Sequence, residues 1–208
     1  MLKMIERFTS LSNRLGIGEP IETFRLLKRR YSEPHRAYHN LAHIESCLDE
    51  FDEVMNLFPY PEIVEYAIWF HDVVYDTKAK DNEGKSIELA IEIAKKSKLL
   101  ESDMITVSSL ILATTHCLTP KNLMQETIID VDLSILGKPI EIFRKYNDGI
   151  RQEYSWVPET QYVNGRTKIL RSFLERKNIY YTRYFRQKYE KQARTNLETT
   201  LKQLDQFK

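Results

Sequence analysis

Five histidines serve the whole 208-residue chain, and three of them lie in two short stretches beside groups that can bind metal or move protons. "YHNLAHIE", residues 38 to 45, carries His39 and His43, and "EYAIWFHDVVYD", residues 65 to 76, carries His71 next to Asp72. If the first stretch is helical, a spacing of four puts both imidazoles on one face, where they can converge on a metal ion or a phosphate oxygen. The plain alternative is an ordinary solvated helix face. The His71-Asp72 pair follows directly on Ala67, Ile68, Trp69 and Phe70. A charged pair at the end of a buried helix needs compensation, either from a bound cation or from mutual hydrogen bonding and helix capping. "ETIIDVDLSILG", residues 126 to 137, repeats the situation by setting Asp130 and Asp132 among six aliphatic side chains. Together these stretches offer His43, His71, Asp72 and one of Asp130 or Asp132. That is a nitrogen-and-oxygen set from three separate helices, of the kind that holds a divalent transition metal and leaves positions open for water.

The elements that must position these groups read as helices throughout. Apolar residues recur at helical spacing in Ile5, Phe8, Leu11 and Leu15; in Ile44, Leu48, Phe51 and Met55; in Ile87, Leu89, Ala90, Ile93 and Ala94; and in Ile105, Ser108, Ile111 and Leu112. Breaks are expected at "GIGEP" (16 to 20), "FPYPE" (58 to 62), "DNEG" (81 to 84), "TPKN" (119 to 122), "GKP" (137 to 139) and "SWVPE" (155 to 159). None is long enough to link two domains, so the expectation is a single all-α domain over residues 1 to 208. Its metal-binding core would span about residues 31 to 136, with C-terminal helices over residues 138 to 208 packed on it. Only six glycines are present, which argues against Gly-rich phosphate loops. A formal net charge of +1 gives no global field for nucleic acid or an acidic membrane, so electrostatic recognition must be local. Cys47 and Cys117 provide no disulfide framework and suit a reducing cytoplasm. The first sixteen residues mix acids and polar groups into their apolar pattern and read as neither signal peptide nor membrane span.

The order His, His-Asp, Asp on an all-α chain resembles the HD superfamily of metal-dependent phosphohydrolases, over about Tyr31 to Asp132. The run "YHNLAHI", "AIWFHDVVYD", "DNEGKS", "ATTH", "DVDLSILG", "IRQEY", "GRTKIL" and "ARTNL" is further similar to one bacterial subfamily of predicted HD phosphohydrolases, across nearly the whole chain. The resemblance implies the HD fold and a metal site of His43, His71, Asp72 and an acid from the third motif. "YHNLAH" is similar to the motif of cyclic-nucleotide phosphodiesterases, which implies that His39 protonates the leaving oxygen while His43 binds metal. The aspartate of "DLS" completes the site in those enzymes, which favours Asp132 over Asp130. "HDVVYDT" is similar to the alarmone hydrolases, except that Tyr75 stands where they carry glutamate; Asp76 is left as a water-orienting group. In HD proteins a carboxylate just after the HD helix can also reach the active site, and Glu83 is the candidate. His116 of "ATTH" sits where two-metal relatives use extra histidines, to bind a second ion or the phosphate.

Further phosphate contacts follow from side-chain chemistry. Arg36 offers a planar fork for phosphate oxygens, with a solvated arginine as its alternative. Arg151 reads first as half of an ion pair with Glu153 and second as a substrate contact, and Arg166 or Arg194 could turn inward to a phosphate. The basic, tyrosine-rich stretch from Arg166 to Arg194 reads as a packed helix with a solvated basic face rather than a nucleic-acid surface. Cys47 reads as a small core residue, and Asp81, Asn82, Glu83 and Ser86 as the opening of a helix. The sequence therefore leads to the expectation of a cytoplasmic hydrolase that uses one or two divalent ions, Mn, Fe, Zn, Co, Ni or Mg, on a small-molecule phosphate substrate such as a nucleotide. It leaves room for a homodimer and expects no membrane partner and no nucleic acid. A non-catalytic metal or nucleotide sensor is the alternative, and an oxygen-activating di-iron protein is disfavoured by the scarcity of histidines after His116.

Overall fold

A computed structural model describes residues 1 to 207, and among them there are ten α-helices and no strand. The chain divides into two compact units, residues 1 to 131 and 132 to 208. The first contains α1 (Leu2–Leu15), α2 (Pro20–Arg30), α3 (Leu41–Asp52), a 3-10 turn (Met55–Leu57), α4 (Pro61–Phe70), α5 (Asn82–Ala94), α6 (Glu101–Ala113) and α7 (Leu123–Asp132). The division falls one residue before the end of α7, so Asp132 is carried on the last turn of a helix that the first unit builds.

Helix α4 is the centre of this unit. Its residues from Ile63 to Phe70 are all buried, and a helix that is apolar all round must be covered on every side. α1, α3, α5 and α6 supply that cover. The one carboxylate on its buried span, Glu65, is neutralised by Arg7 Nε at 2.8 Å and Arg14 Nη2 at 3.5 Å. Phe8 and Phe24 pack edge-on against Trp69, with ring centres 5.2 and 6.1 Å away. Two buried hydroxyls tie the helix to its neighbours: Tyr31 donates to the Trp69 carbonyl at 2.9 Å, and Tyr66 donates to the Ala90 carbonyl of α5 at 2.8 Å. These contacts fix the direction in which α4 ends, and it ends at His71.

Most of the expected breaks hold. α1 closes on Gly16, which takes φ +67° as a left-handed C-cap, and prolines open α2 and α4. Two expectations need correction. "DNEG" opens α5 as its composition suggested, but the Asp81 side chain does not cap the helix; its carboxylate pairs with Lys85 at 3.1 Å. Asn82 and Ser86 instead turn back to the segment after His71, where Asn82 Oδ1 accepts from Asp76 N at 3.0 Å and Ser86 Oγ accepts from Val74 N at 3.1 Å. On α6 the buried side is Val107, Leu110 and Ile111, while Ile105 and Leu112 are exposed. That helix has apolar residues around most of its circumference, so periodicity alone cannot choose the face.

The second unit contains a 3-10 turn (Leu133–Gly137), α8 (Ile140–Glu153), α9 (Glu159–Glu175) and α10 (Arg183–Leu204). α10 packs on the 3-10 turn and on α9. Tyr180 Oη donates to the Leu133 carbonyl at 3.0 Å, and Asn196 Nδ2 to the carbonyls of Leu136 and Lys138 at 2.8 and 2.9 Å. A Cβ on Gly137 would stand 2.4 Å from the Cβ of Tyr189, an atom fixed to the α10 backbone. Gly137→Ala is therefore expected to destabilise the protein by about 1 to 3 kcal/mol through overpacking, read as a lower midpoint in chemical denaturation. Gly165→Ala, where an added Cβ meets nothing within 4 Å, should show no such overpacking loss.

Candidate metal centre

Helix α3 is opened by Asn40, whose Oδ1 accepts from Ala42 N at 2.9 Å. This N-cap separates the two histidines of the first motif. His43 lies in the first turn of α3 and is buried, whereas His39 precedes the cap and belongs to the incoming loop. The two therefore do not share a helical face as their spacing suggested, although their rings still approach to 5.9 Å between centres.

His71 stands one residue past α4, and its Nδ1–H donates to the Ile68 carbonyl at 2.9 Å. That bond decides the tautomer. In the neutral ring the proton sits on Nδ1, and the lone pair of Nε2 faces away from the helix. Nε2 looks at His43 Nε2 at 3.3 Å and at Asp72 Oδ2 at 3.1 Å, and His43 Nε2 is 3.6 Å from the same oxygen. Ligand atoms of His43, His71 and Asp132 all lie within 4.8 Å of one another. A positive charge belongs between these nitrogens and the carboxylate, supplied by a metal ion or, without one, by a proton on an imidazole Nε2. Bonds of about 2.1 Å in a tetrahedral shell put neighbouring ligand atoms about 3.4 Å apart, close to the spacings found here. His43, His71 and Asp132 can thus hold a metal ion, and Asp72 borders the same centre. Asp130 is fully buried, two residues back on α7, and it is Asp132 that joins the cluster.

Burial by itself raises the Asp72 carboxyl, but the charge and hydrogen bond of His71, followed by the charges of His39 and His43, overcome it and hold the group well below the ordinary carboxylate range. A depressed carboxyl stabilises the fold above its unfolded pKa of about 3.9 and loses that contribution as pH falls through its folded value. Metal-free protein is therefore expected to lose melting temperature below about pH 4 more steeply than Asp72→Asn does, by thermal scans at matched ionic strength. Matching slopes would mean that Asp72 is not held low.

The loop before α3 is clasped to the turn after α4. Arg36, whose side chain is 0% exposed, donates from Nη1 to the carbonyls of His39 (3.0 Å) and Asp72 (2.6 Å), from Nη2 to that of Val73 (3.0 Å), and from Nε to Glu33 (3.0 Å). With its fork turned inward on these carbonyls, Arg36 is a buried clamp rather than the anion grip expected from its type. His35 Nε2 donates to the Tyr75 carbonyl at 2.8 Å. The His39 ring stacks on Tyr75, with centres 4.1 Å apart and planes 27° apart, and Tyr38 meets the rings of His39 and His43 at 5.0 and 4.8 Å. Cys47, one turn along α3, is buried with Sγ 3.7 Å from both ring nitrogens of His43. Neither aromatic was a candidate from the sequence. An exchange of glutamate for tyrosine at position 75 was the only signal, and it reads as a loss rather than a contact.

None of the remaining candidates belongs to the group of ligand atoms. Asp76 is exposed and builds its own turn, Oδ1 accepting from Lys78 N at 2.8 Å. Glu83 is half-buried in the first turn of α5, with no hydrogen bond or ion pair to the ligands. His116 follows α6 at φ +57°, half-buried, and is not part of the ligand group. In the second unit Arg151 pairs with Glu159 at 2.8 Å and donates to the Tyr154 carbonyl at 2.7 Å, so its carboxylate is not the neighbour at 153 that the sequence suggested. Arg166 is buried and donates to Asn147 Oδ1 at 2.7 Å, and Arg194 holds Glu190 at 2.8 Å and the carbonyls of Leu174, Arg176 and Lys177. Among the described residues no helix is long and apolar enough to cross a membrane. Compared with family models, with curated proteins and with solved structures, the chain gives no match in any of the three.

Proposed function

We propose that this chain is a metal-dependent phosphohydrolase acting on a phosphomonoester or phosphodiester of a small molecule, with a nucleotide as the leading substrate class. The observation that carries the reading is the lone pair of His71 Nε2, fixed by the Nδ1 bond to Ile68 and directed at Asp72 and His43. A divalent ion at such a centre acidifies water and draws charge from a phosphoryl oxygen. The protein's own contribution begins with the ligand tautomer: the Ile68 carbonyl keeps the His71 proton on Nδ1. Asp72 keeps its negative charge at neutral pH and supplies an anionic edge to the centre. His39, half-buried and outside the ligand cluster, is the group we assign to give a proton to the departing alkoxide, a role typically worth ~10² to 10⁴ in rate. Mixed imidazole and carboxylate donors suit Mn, Fe, Zn, Co or Ni, and Mg less well.

The test is elemental analysis of protein purified without added metal, then a phosphate-release screen over nucleotides and simple phosphate esters with each of the six ions. Metal-dependent turnover supports the reading. Stoichiometric metal with no turnover on any ester would leave a metal or nucleotide sensor instead, and protein that takes up no ion would remove the centre altogether.

A further inference from the structure

His39 is the member of the proposed chemistry that lies ahead of a helix, on an incoming loop. It lies in the loop between α2 and α3, ahead of the Asn40 cap, and its side chain would turn freely about two bonds if nothing lay against it. A proton donor gains its effect from being held within reach of the oxygen it serves, so something must hold this ring. Tyr75 lies against its face at 4.1 Å. Tyr75 is itself restrained, by His35 on its carbonyl at 2.8 Å and by the Arg36 guanidinium, 5.5 Å from its ring centre. The same guanidinium bonds the carbonyl of His39 on one side and those of Asp72 and Val73 on the other. The loop that carries the proton donor and the turn that carries a ligand are thus one mechanical piece.

We propose that Tyr75 is a positioning residue for His39: its ring is the surface that holds the imidazole beside the metal ligands, on a loop locked to the ligand turn by Arg36. This rests on the phosphohydrolase reading for its consequence in turnover, but the placement of His39 can be read without turnover. The aromatic face is the feature that matters, so removing it should loosen the hold on the imidazole, which Tyr38 also touches at 5.0 Å, while leaving the ligands alone. Tyr75 is not one of the ligand residues, and its side chain is half-buried rather than part of the apolar core.

The experiment compares wild type with Tyr75→Ala, Tyr75→Leu and Tyr75→Phe. Each should keep the wild-type metal content by elemental analysis. Alanine and leucine should lose about 10²-fold on an unactivated alkyl phosphate and only a few-fold on a nitrophenyl phosphate, whose leaving anion needs little protonation. Phenylalanine, which keeps the face, should stay within a few-fold of wild type on both. Leucine fills the volume and serves in place of alanine if the latter does not fold. Equal losses on both esters, no loss at all, lost metal, or a phenylalanine variant as poor as alanine would each overturn the proposal. If wild type itself releases no phosphate from any ester, the hydrolase reading fails and the positioning is decided by NMR of the Co(II)-loaded protein. Wild type should then show hyperfine-shifted ring protons of His39, identified by their absence in His39→Gln, that persist in Tyr75→Phe and move or broaden away in Tyr75→Leu. Unchanged lines in Tyr75→Leu would overturn it.

Discussion

Asp72→Ala and His43→Ala are each expected to lose the metal ion and all metal-dependent turnover while remaining folded at room temperature. His43 Nε2 and Asp72 Oδ2 lie 3.3 and 3.1 Å from His71 Nε2, so removing either opens one side of the cluster. Changing a group that only supports a ligand typically costs 10- to 100-fold in metal affinity, and removing a donor costs more. The fold should survive because its stability comes from the apolar surroundings of α4, Trp69 with Phe8 and Phe24 among them, and not from the ion. In the metal-free protein the loss of Asp72 leaves the two imidazoles facing each other at 3.3 Å without the carboxylate beside them. Elemental analysis after dialysis, with circular dichroism for the fold, is the measurement. A variant that unfolds outright would make the site chiefly structural, and one that keeps full turnover would move the chemistry elsewhere. Because the ligands bind only when deprotonated, wild-type affinity should also fall as pH is lowered.

His39→Ala is expected to do the opposite of His43→Ala: keep the ion and lose turnover. His43 sits inside the ligand cluster, while His39 lies 5.9 Å away ring to ring, before the helix begins. The loss should reach about 10² to 10⁴ on an unactivated alkyl phosphate and shrink on nitrophenyl phosphate, because a stable leaving anion draws little on the donor. Equal losses on the two esters would exclude the proton-donor role. Loss of metal from His39→Ala would make the residue a support for the ligands, in keeping with its charge acting on Asp72.

How much of this was present in the sequence differs from residue to residue. The helices were, because an apolar stripe at helical spacing is a local property: α1 buries Phe8, Leu11 and Leu15, and α3 buries Ile44, Leu48 and Phe51, as their periodicity requires. The all-α class follows from the same stripes and the shortage of glycine. The identity of the polar residues that resist burial was also plain, since His71, Asp72 and Asp132 each stand beside aliphatic runs where an unpaired charge is costly. Spacing misled where a boundary intervened. Asn40 caps α3 between His39 and His43, and a separation of four has no geometric meaning across a helix start. Residue type misled where the environment decided the use: the Arg36 fork fits phosphate and backbone carbonyls equally well, and only folding brings the carbonyls of His39, Asp72 and Val73 to it. The choice of Asp132 over Asp130, the tautomer of His71 and the stacking of His39 on Tyr75 likewise exist only once α3, α4 and α7 are packed. The chain by itself determined which residues want a partner, because that depends on their neighbours in sequence. Tertiary structure decided which partners they meet, because ligand residues 28 to 89 places apart come together only when the apolar surface of α4 is covered.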